Sequence, residues 1–337
     1  MKIAVLGAGS LGILEGALIT RGGYDCTLIA TNHHKIAALN KYGARITGLY
    51  QATIPVKAVS PQKAQGPFDY ILHLTKQTSM VAALEGIAHC IDKNTVVVSL
   101  QNGIPEDKIA AVVGQQRLIA GSVFHGAAYR GEGIVELTTE FDSLHIYIGE
   151  LDGKITPRIS RLEQLLATAG GVTVSRDIMA EKYSKLVMNC AISGVSASLG
   201  CTFGQAGEDA RACRLMTLLS CEGAAVLAAK GIKPVSMAGY CPSVDNFNAA
   251  DEAALRKGDE QMRALVAISY NEVASMLQDI RAGLPECEID YINGKLADEG
   301  KALGIATPIN DKVVRVVTAI QNRKLKPVWD NLSLFKT

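Results

Sequence analysis

The sequence predicts an α/β protein of two domains: a doubly wound N-terminal domain at residues 1–176 and an all-helical C-terminal domain at residues 177–337. Three observations predict this fold class. Short apolar runs alternate with helical runs in the first half, as in a mostly parallel sheet with helices on both faces. Strand-like runs then stop near residue 177, and long helical runs follow. Finally, 337 residues, 48% of them hydrophobic, are enough to form two cores.

In the N-terminal domain, the order of these runs predicts each element in turn. An apolar run predicts a strand at residues 2–6, and the helical run at 10–21 ends at a pair of glycines. A second strand at 26–30 leads to Asn32, which has the position of an N-cap for a helix reaching about residue 42. The remaining predicted elements are a hairpin from the runs at 44–50 and 52–60, strands at 69–75, 95–100 and 117–124, helices at 77–91 and 105–113, and late antiparallel strands within 134–149.

The C-terminal domain shows helical runs in place of alternating ones. Its predicted helices lie at residues 177–199, 208–230, 258–282, 289–303 and 309–322.

Charge, hydropathy and cysteine content indicate which partners and which kinds of site to expect. The 34 basic and 33 acidic residues nearly cancel, so we expect neither nucleic acid nor a membrane surface as a partner. No run of about 18 apolar residues predicts a membrane span, and Glu15 interrupts the apolar N-terminus where a signal peptide would continue. The eight cysteines include no C-x-x-C pair, so we expect free thiols in the core of a cytoplasmic protein and no metal site.

A glycine-rich turn between the first strand and the first helix predicts a dinucleotide site. Gly7, Gly9 and Gly12 have the spacing G-x-G-x-x-G, which suits a tight turn, a close approach of the backbone to a pyrophosphate, and close packing of helix and strand. The helix would then offer the backbone N–H groups of Ser10 and Leu11 to the phosphates. The alternative is an ordinary tight turn.

The end of the second strand bears on the choice between NAD and NADP. An acidic residue there would bind the ribose 2′-hydroxyl and repel a 2′-phosphate, but this stretch contains none. A hydroxyl at Thr31, the amide of Asn32 and the charge of Lys35 favour NADP, with NAD left open. The alternative is that Asn32 is only an N-cap and Lys35 is solvated.

The predicted helix from residue 177 carries a polar stripe on an otherwise apolar surface. Lys185, Asn189, Ser193 and Ser196 recur at spacings of four, four and three, which places them on one face. A buried lysine is costly unless it is paired or faces a wet cavity, so the stripe predicts a functional site. The alternative is that Lys185 extends to solvent and the serines bond backbone carbonyls.

With these residues identified, the chain resembles the ketopantoate reductase (2-dehydropantoate 2-reductase) family. The motifs that carry the resemblance, in the family's order, are KIAVLGAGSLG at residues 2–12, LTKQ at 74–77, LQNG at 100–103, KLVMNCAIS at 185–193, and the block with SMLQDI, RAG and EIDYING from 275 to 294. The resemblance implies a Rossmann-like domain followed by a helical domain of the 6-phosphogluconate dehydrogenase C-terminal-like type. It also implies NADPH-dependent reduction of 2-dehydropantoate to (R)-pantoate, a step in pantothenate and coenzyme A biosynthesis.

The resemblance also implies roles for individual residues. Lys185 matches the catalytic lysine, which protonates the ketone oxygen as hydride arrives, and Glu288 accepts a hydrogen bond from the substrate hydroxyl. The other implied site residues are Asn102, Asn189, Ser193 and Ser275 for the substrate, and Thr31, Lys76 and again Asn102 beside the cofactor. Lys76 and Asn102 follow predicted strands, where open α/β sheets bind ligands, although Asn-Gly is also a common turn. His125 is interpreted as a structural histidine.

Several positions depart from the family pattern. Ser193 stands where asparagine is usual, Leu284 where arginine is common, Cys287 where threonine is usual, and Thr31 where an arginine often holds the 2′-phosphate. These departures keep two alternatives open: a related reductase of another 2-oxo acid, and a non-catalytic NADP-binding sensor. The expected partner is a small 2-oxo acid, and a homodimer is left open.

Overall fold

The computed structural model describes residues 1–335. It contains an N-terminal α/β unit, Met1–Met179, and a helical unit that begins at Ala180. The sequence placed this boundary between residues 176 and 177.

Twelve strands lie within the described residues. They are β1 (Lys2–Leu6), β2 (Asp25–Ile29), β3 (Ala44–Gly48), β4 (Ala52–Ile54), β5 (Lys57–Val59), β6 (Tyr70–His73), β7 (Val96–Ser99), β8 (Leu118–Val123), β9 (Ala127–Tyr129), β10 (Ile134–Leu137), β11 (His145–Gly149) and β12 (Gly171–Val174).

Twelve α-helices lie within the same residues. They are α1 (Ser10–Arg21), α2 (His33–Tyr42), α3 (Met80–Gly86), α4 (Glu106–Val113), α5 (Pro157–Leu166), α6 (Ile178–Leu199), α7 (Phe203–Glu208), α8 (Ala210–Ala229), α9 (Glu252–Ile268), α10 (Ser275–Arg281), α11 (Asn293–Leu303) and α12 (Pro308–Gln321).

The main sheet is doubly wound, as predicted. Its eight strands have the order β12-β11-β8-β7-β6-β1-β2-β5, and they are parallel except where β11 runs antiparallel to β8. Both faces are covered: Ile3 and Val5 of β1 pack in one core cluster, and the alternate residues Ala4 and Leu6 pack in another. Because β1 lies between β2 and β6, the chain changes direction at its carboxyl end, which is where such sheets bind ligands.

A second sheet, with the order β4-β3-β10-β9, corrects two predictions. The hairpin is confirmed for β3 and β4, but the run at 52–60 divides, and β5 pairs with β2 in the main sheet. Pro55 lies at the break, because proline lacks the N–H needed to continue the ladder. The predicted late strands also separate, since β10 joins this sheet and β11 joins the main one.

Other differences in the first unit are local. The predicted helix at 77–91 is three short pieces, α3 with a 3₁₀ turn on each side, and it breaks after Gly86, a poor helix former. Helix α5 and strand β12 were not predicted. The Thr156-Pro157 pair could have indicated α5, because Thr156 caps the helix and Pro157 is its first residue.

In the helical unit, α6, α8, α11 and α12 lie close to their predicted ranges, while one predicted helix divides. The short helix α7 was not predicted, and Asp209 separates it from α8 because the Asp209 side chain accepts from Arg211 N and Ala212 N and caps α8. The run at 258–282 divides between α9 and α10. The carbonyls of Tyr270 and Glu272 in this link accept from the first N–H groups of α7.

One described helix, α8, is long and apolar enough to cross a membrane by length and composition alone. About two-thirds of it is buried inside the protein, as expected for a core helix.

Candidate active site

The three glycines of the first turn have different surroundings. Gly7 has φ +105°, and a Cβ there would lie 2.6 Å from Thr75 N. A Cβ on Gly12 would lie 2.0 Å from the carbonyl oxygen of Gly7, whereas a Cβ on Gly9 would meet nothing within 4 Å. The fold therefore requires glycine at positions 7 and 12, and Gly9 leaves open space above the loop.

The start of α1 faces this open space with backbone donors. Gly9 occupies the N-cap position and has no side chain to bond the helix end, and the helix begins at Ser10. The N–H groups of Ser10, Leu11 and Gly12 are in the first turn of α1, where helices have no internal acceptors. Together with the helix dipole, these groups suit a phosphate group.

Two lysines converge near this loop. Asn32 is an N-cap as predicted, since its side chain accepts from Lys35 N at 2.9 Å. The Lys35 side chain is not simply solvated: its Nζ donates to the carbonyl of Ala8 at 2.9 Å and lies 4.2 Å from the ring centre of Tyr129. Burial and the positive charge of Lys76 both lower the pKa of Lys35. The sequence offered Lys35 as a charge near the 2′-phosphate but gave no signal for Tyr129, and the predicted Thr31 is exposed.

The loops after β6 and β7 are joined to each other. Lys76 and Asn102 are half-buried, and the Gln77 side chain donates from Nε2 to the carbonyl oxygen of Asn102 at 2.5 Å. Gly103 follows with φ +78°, a conformation that favours glycine. The structure therefore brings the segments of Lys76 and Asn102 together at the carboxyl edge of the sheet.

His125 lies in the interior of the first unit. Its Nε2 lies 2.6 Å from Oε1 of Glu15, and both side chains are buried. This pairing supports the structural interpretation of His125, and it explains how an acidic residue can lie inside α1.

Helix α6 presents the predicted polar face in part. Lys185, Asn189 and Ser193 are half-buried. Burial lowers the pKa of Lys185 to about 7, and the positive charge of Lys182 adds to that shift. Ser196 is instead structural, because its hydroxyl donates to the carbonyl of Cys201 at 2.7 Å and accepts from Ala274 N at 3.2 Å.

The last two predicted residues lie on other elements of the helical unit. Ser275 is the exposed first residue of α10, directly after the Ala274 amide that bonds α6. Glu288 is half-buried, and its carbonyl accepts from the amides of Tyr291 and Ile292, which fixes the short turn before α11. Both residues therefore belong to segments tied by hydrogen bonds.

The cysteines form no disulfide in the described residues. All eight cysteines lie within residues 1–335 and are free. No group of three His, Cys, Asp or Glu side chains in that range is arranged to hold a metal ion.

The comparisons with known proteins agree with the motifs. The family model for ketopantoate reductase PanE/ApbA matches residues 3–153, and the model for its C-terminal domain matches residues 177–321. The 2-dehydropantoate 2-reductase of Pyrococcus horikoshii is 33% identical over 312 residues, covering 92% of this chain and 94% of that protein. The enzyme of the same name from Archaeoglobus fulgidus is 27% identical over 323 residues, covering 95% and 98%.

Two solved structures share the whole fold. A PanE/ApbA family ketopantoate reductase from Ralstonia eutropha is 25% identical with a TM-score of 0.79, covering 96% of this chain and 99% of that one. A D-mandelate dehydrogenase solved with NADH is 25% identical with a TM-score of 0.80, covering the same shares.

Proposed function

This chain belongs to the ketopantoate reductase family of oxidoreductases, and we propose that it reduces 2-dehydropantoate to (R)-pantoate with NADPH. That reaction is a step toward pantothenate and coenzyme A. The observation that carries the proposal is Lys185, which matches the family's catalytic lysine in the KLVMNCAIS motif and whose partial removal from water lowers its pKa to about 7. A general acid works best when its pKa lies near the operating pH.

The proposed chemistry needs one hydride and one proton. When bound, NADPH supplies the hydride to the ketone carbon and leaves as NADP⁺. The Lys185 ammonium gives its proton to the ketone oxygen as negative charge develops there, and the neutral amine regains a proton from water. Glu288 accepts a hydrogen bond from the substrate hydroxyl and so orients the substrate.

We assign the remaining predicted residues to binding the substrate. Ser275 at the start of α10 would donate to the carboxylate, and Asn189, one helical turn from Lys185, would hold the polar end of the substrate. Ser193, one helical turn after Asn189, would line the substrate pocket. Asn102 would contact both the nicotinamide and the substrate. An anionic substrate needs such donors because its carboxylate loses water on binding.

The glycine loop is the proposed site of the cofactor pyrophosphate. The open space at Gly9 and the N–H groups of Ser10 and Leu11 fit a phosphate, while Gly7 and Gly12 shape the turn. For the 2′-phosphate we propose Lys35 and Lys76 beside Thr31. The positive charges of Lys35 and Lys76 repel each other, and an anion such as the 2′-phosphate bound between them would offset that repulsion.

The charge argument gives a direct test of cofactor preference. We expect Lys35→Met to raise the Kd for NADPH by about tenfold, the effect of one lost charge contact, and to change the Kd for NADH little. The matched control is Lys41→Met at the other end of α2, where the amine lies over the ring of Tyr42. Equal losses for the two cofactors would place the 2′-phosphate elsewhere, and tighter binding of NADH by the unaltered protein would overturn the preference.

A related 2-oxo acid is the second candidate substrate. Ser193 is shorter than the asparagine usual in the family and leaves more room, and the NADH-bound neighbour is a D-mandelate dehydrogenase. The test compares kcat/KM for 2-dehydropantoate with that for phenylglyoxylate and for aliphatic 2-oxo acids, followed by loss of reduced-nicotinamide absorbance. A clear preference for 2-dehydropantoate supports the first proposal, and a preference for another acid supports the second. Cofactor binding without turnover of any acid would indicate a sensor.

We place this activity in the cytoplasm, where reducing conditions suit eight free thiols. The small-molecule substrate is the proposed partner.

A further inference from the structure

A buried hydrogen-bond network crosses the helical unit behind the polar face of α6. Its centre is Asn293, the first residue of α11, whose side chain is fully buried. The amide Nδ2 donates to the carbonyl oxygen of Cys190 on α6 at 3.0 Å and to Oδ1 of Asn310 at 2.9 Å. One side chain therefore joins the backbone of α6 to the start of α12.

The network continues to a carboxylate on α8. Glu222 accepts from the amides of Ile309 and Asn310 at 2.8 and 2.9 Å, and from the Asn310 side chain at 2.7 Å. Burial raises the pKa of Glu222, while these three donors favour its charged form. The carboxylate thereby fixes the N-terminus of α12 and the orientation of the Asn310 amide.

Contact between Asn293 and α6 depends on a glycine. A Cβ on Gly194 would lie 3.0 Å from Oδ1 of Asn293 and 2.7 Å from Cγ1 of Val313. Only the absence of a side chain at position 194 lets α11 and α12 approach this turn of α6 so closely. Along the helix, Gly194 is about one and a half turns from Asn189 and about two and a half turns from Lys185.

The same asparagine follows a short hydrogen-bonded turn that begins at Glu288. Four residues lie between the two, and the carbonyl of Glu288 accepts from the amides of Tyr291 and Ile292 at 3.0 and 3.1 Å. Asn293 follows this hydrogen-bonded turn directly in the chain, and its side chain bonds the α6 backbone at Cys190.

We propose that Asn293 is a positioning residue that, with Asn310 and Glu222, holds the Lys185 and Asn189 face of α6 in fixed relation to Glu288. The role rests on the proposed function, in which Lys185 and Glu288 act on the same substrate. A displacement of about 1 Å between reacting groups costs on the order of a hundredfold in rate. The network would thus contribute to turnover without touching substrate.

The test uses Asn293→Ala, the milder Glu222→Gln, which keeps the carboxylate's shape, and Val313→Ala as a matched control. Val313 is fully buried at the same contact and makes no side-chain hydrogen bond, so its truncation removes packing alone. We expect Asn293→Ala to lower kcat on the preferred 2-oxo acid by tenfold to about a hundredfold, and Glu222→Gln to lower kcat by a smaller factor. Both variants should keep the Kd for NADPH within about twofold of the parent value. Val313→Ala should lower Tm but keep kcat within about threefold of the parent.

The pH profile separates positioning from general loss of stability. A looser α6 lets water reach Lys185, so the fall in rate near pH 7 should move to higher pH in Asn293→Ala and stay in place in Val313→Ala. Equal kcat losses in Asn293→Ala and Val313→Ala, or an unshifted profile in Asn293→Ala, would overturn the proposal.

Hydrogen exchange tests the network independently of activity. We expect the amides of residues 186–194 to exchange faster in Asn293→Ala than in Val313→Ala, even in a protein that turns over no 2-oxo acid. If the protein turns over no 2-oxo acid, the proposed function fails, but hydrogen exchange still tests whether Asn293 holds α6 in place. Similar exchange rates in the two variants would refute that role of Asn293.

Discussion

The side chain on which the proposed chemistry depends, Lys185, differs from a surface lysine in its surroundings. Burial disfavours its charged form and Lys182 adds a like charge, so its pKa falls from 10.5 to about 7. At that value, protonated and neutral forms are both populated near neutral pH. A lysine in this state can give up a proton and regain it within one turnover.

Replacing this amine tests its role directly. We expect Lys185→Met, which keeps the length of the side chain, to lower kcat by about a hundredfold or more, the usual contribution of a positioned proton donor. The Kd for NADPH should be unchanged. Lys230→Met, which breaks a 2.8 Å ion pair with Glu299 in the same unit, is the control and should keep its rate. A nearly normal rate in Lys185→Met would exclude the lysine from the mechanism.

The neighbouring charge gives a prediction for pH dependence. Only the ammonium form of Lys185 can donate a proton, so kcat/KM should decline as pH rises through about 7. Lys182→Met removes a positive charge that lowers this pKa, so the decline should move to higher pH. The measurement is kcat/KM from pH 5.5 to 9.5, with Lys230→Met as the control. A shift to lower pH would contradict the assigned sign.

Among the elements, the turn from β1 into α1 separates two uses of glycine. Gly12 is needed for packing, because a side chain there would meet the carbonyl of Gly7. Gly9 is free of protein contacts in that direction, so folding alone does not require glycine there.

This contrast predicts opposite effects of the same substitution. We expect Gly9→Ala to keep the Tm of the unaltered protein but to weaken NADPH binding by tenfold or more, because the methyl group enters the pyrophosphate space. Gly12→Ala should lower Tm markedly through the forced clash. Thermal unfolding and cofactor titration of both variants check this. Unchanged NADPH affinity in Gly9→Ala would mean that the phosphates bind elsewhere.

For the whole molecule, the cysteines show how burial controls chemistry across both units. Six of the eight are buried and two are half-buried. Burial raises the pKa of Cys26 to about 12, and that of Cys201, Cys213 and Cys221 to about 11. Since the thiolate is the reactive form, these thiols should be inert in the native protein.

We therefore expect the Tm to be the same with and without dithiothreitol, because no cross-link contributes to stability. Titration with a thiol reagent should be slow in the native protein and should reach eight groups in guanidinium chloride. Fewer than eight reactive groups in denaturant without reductant would reveal a disulfide.

The elements and residues that depend on local pattern follow from the sequence alone. The glycine spacing after β1, the Asn32 cap and the polar face of α6 were all predicted, because helix periodicity and turn chemistry act over a few residues. The family motifs added Lys76 and Glu288, which no periodicity would have selected.

Contacts between residues far apart in the chain follow only from the folded structure. The contact of Lys35 with Ala8 spans 27 positions, and that of Asn293 with Cys190 spans 103. The division of residues 52–60 between two sheets also could not be read from the local sequence, because the pairing of a strand depends on packing of the whole unit. Periodicity reports which face of an element is buried, whereas the partner on that face is set by the folded chain.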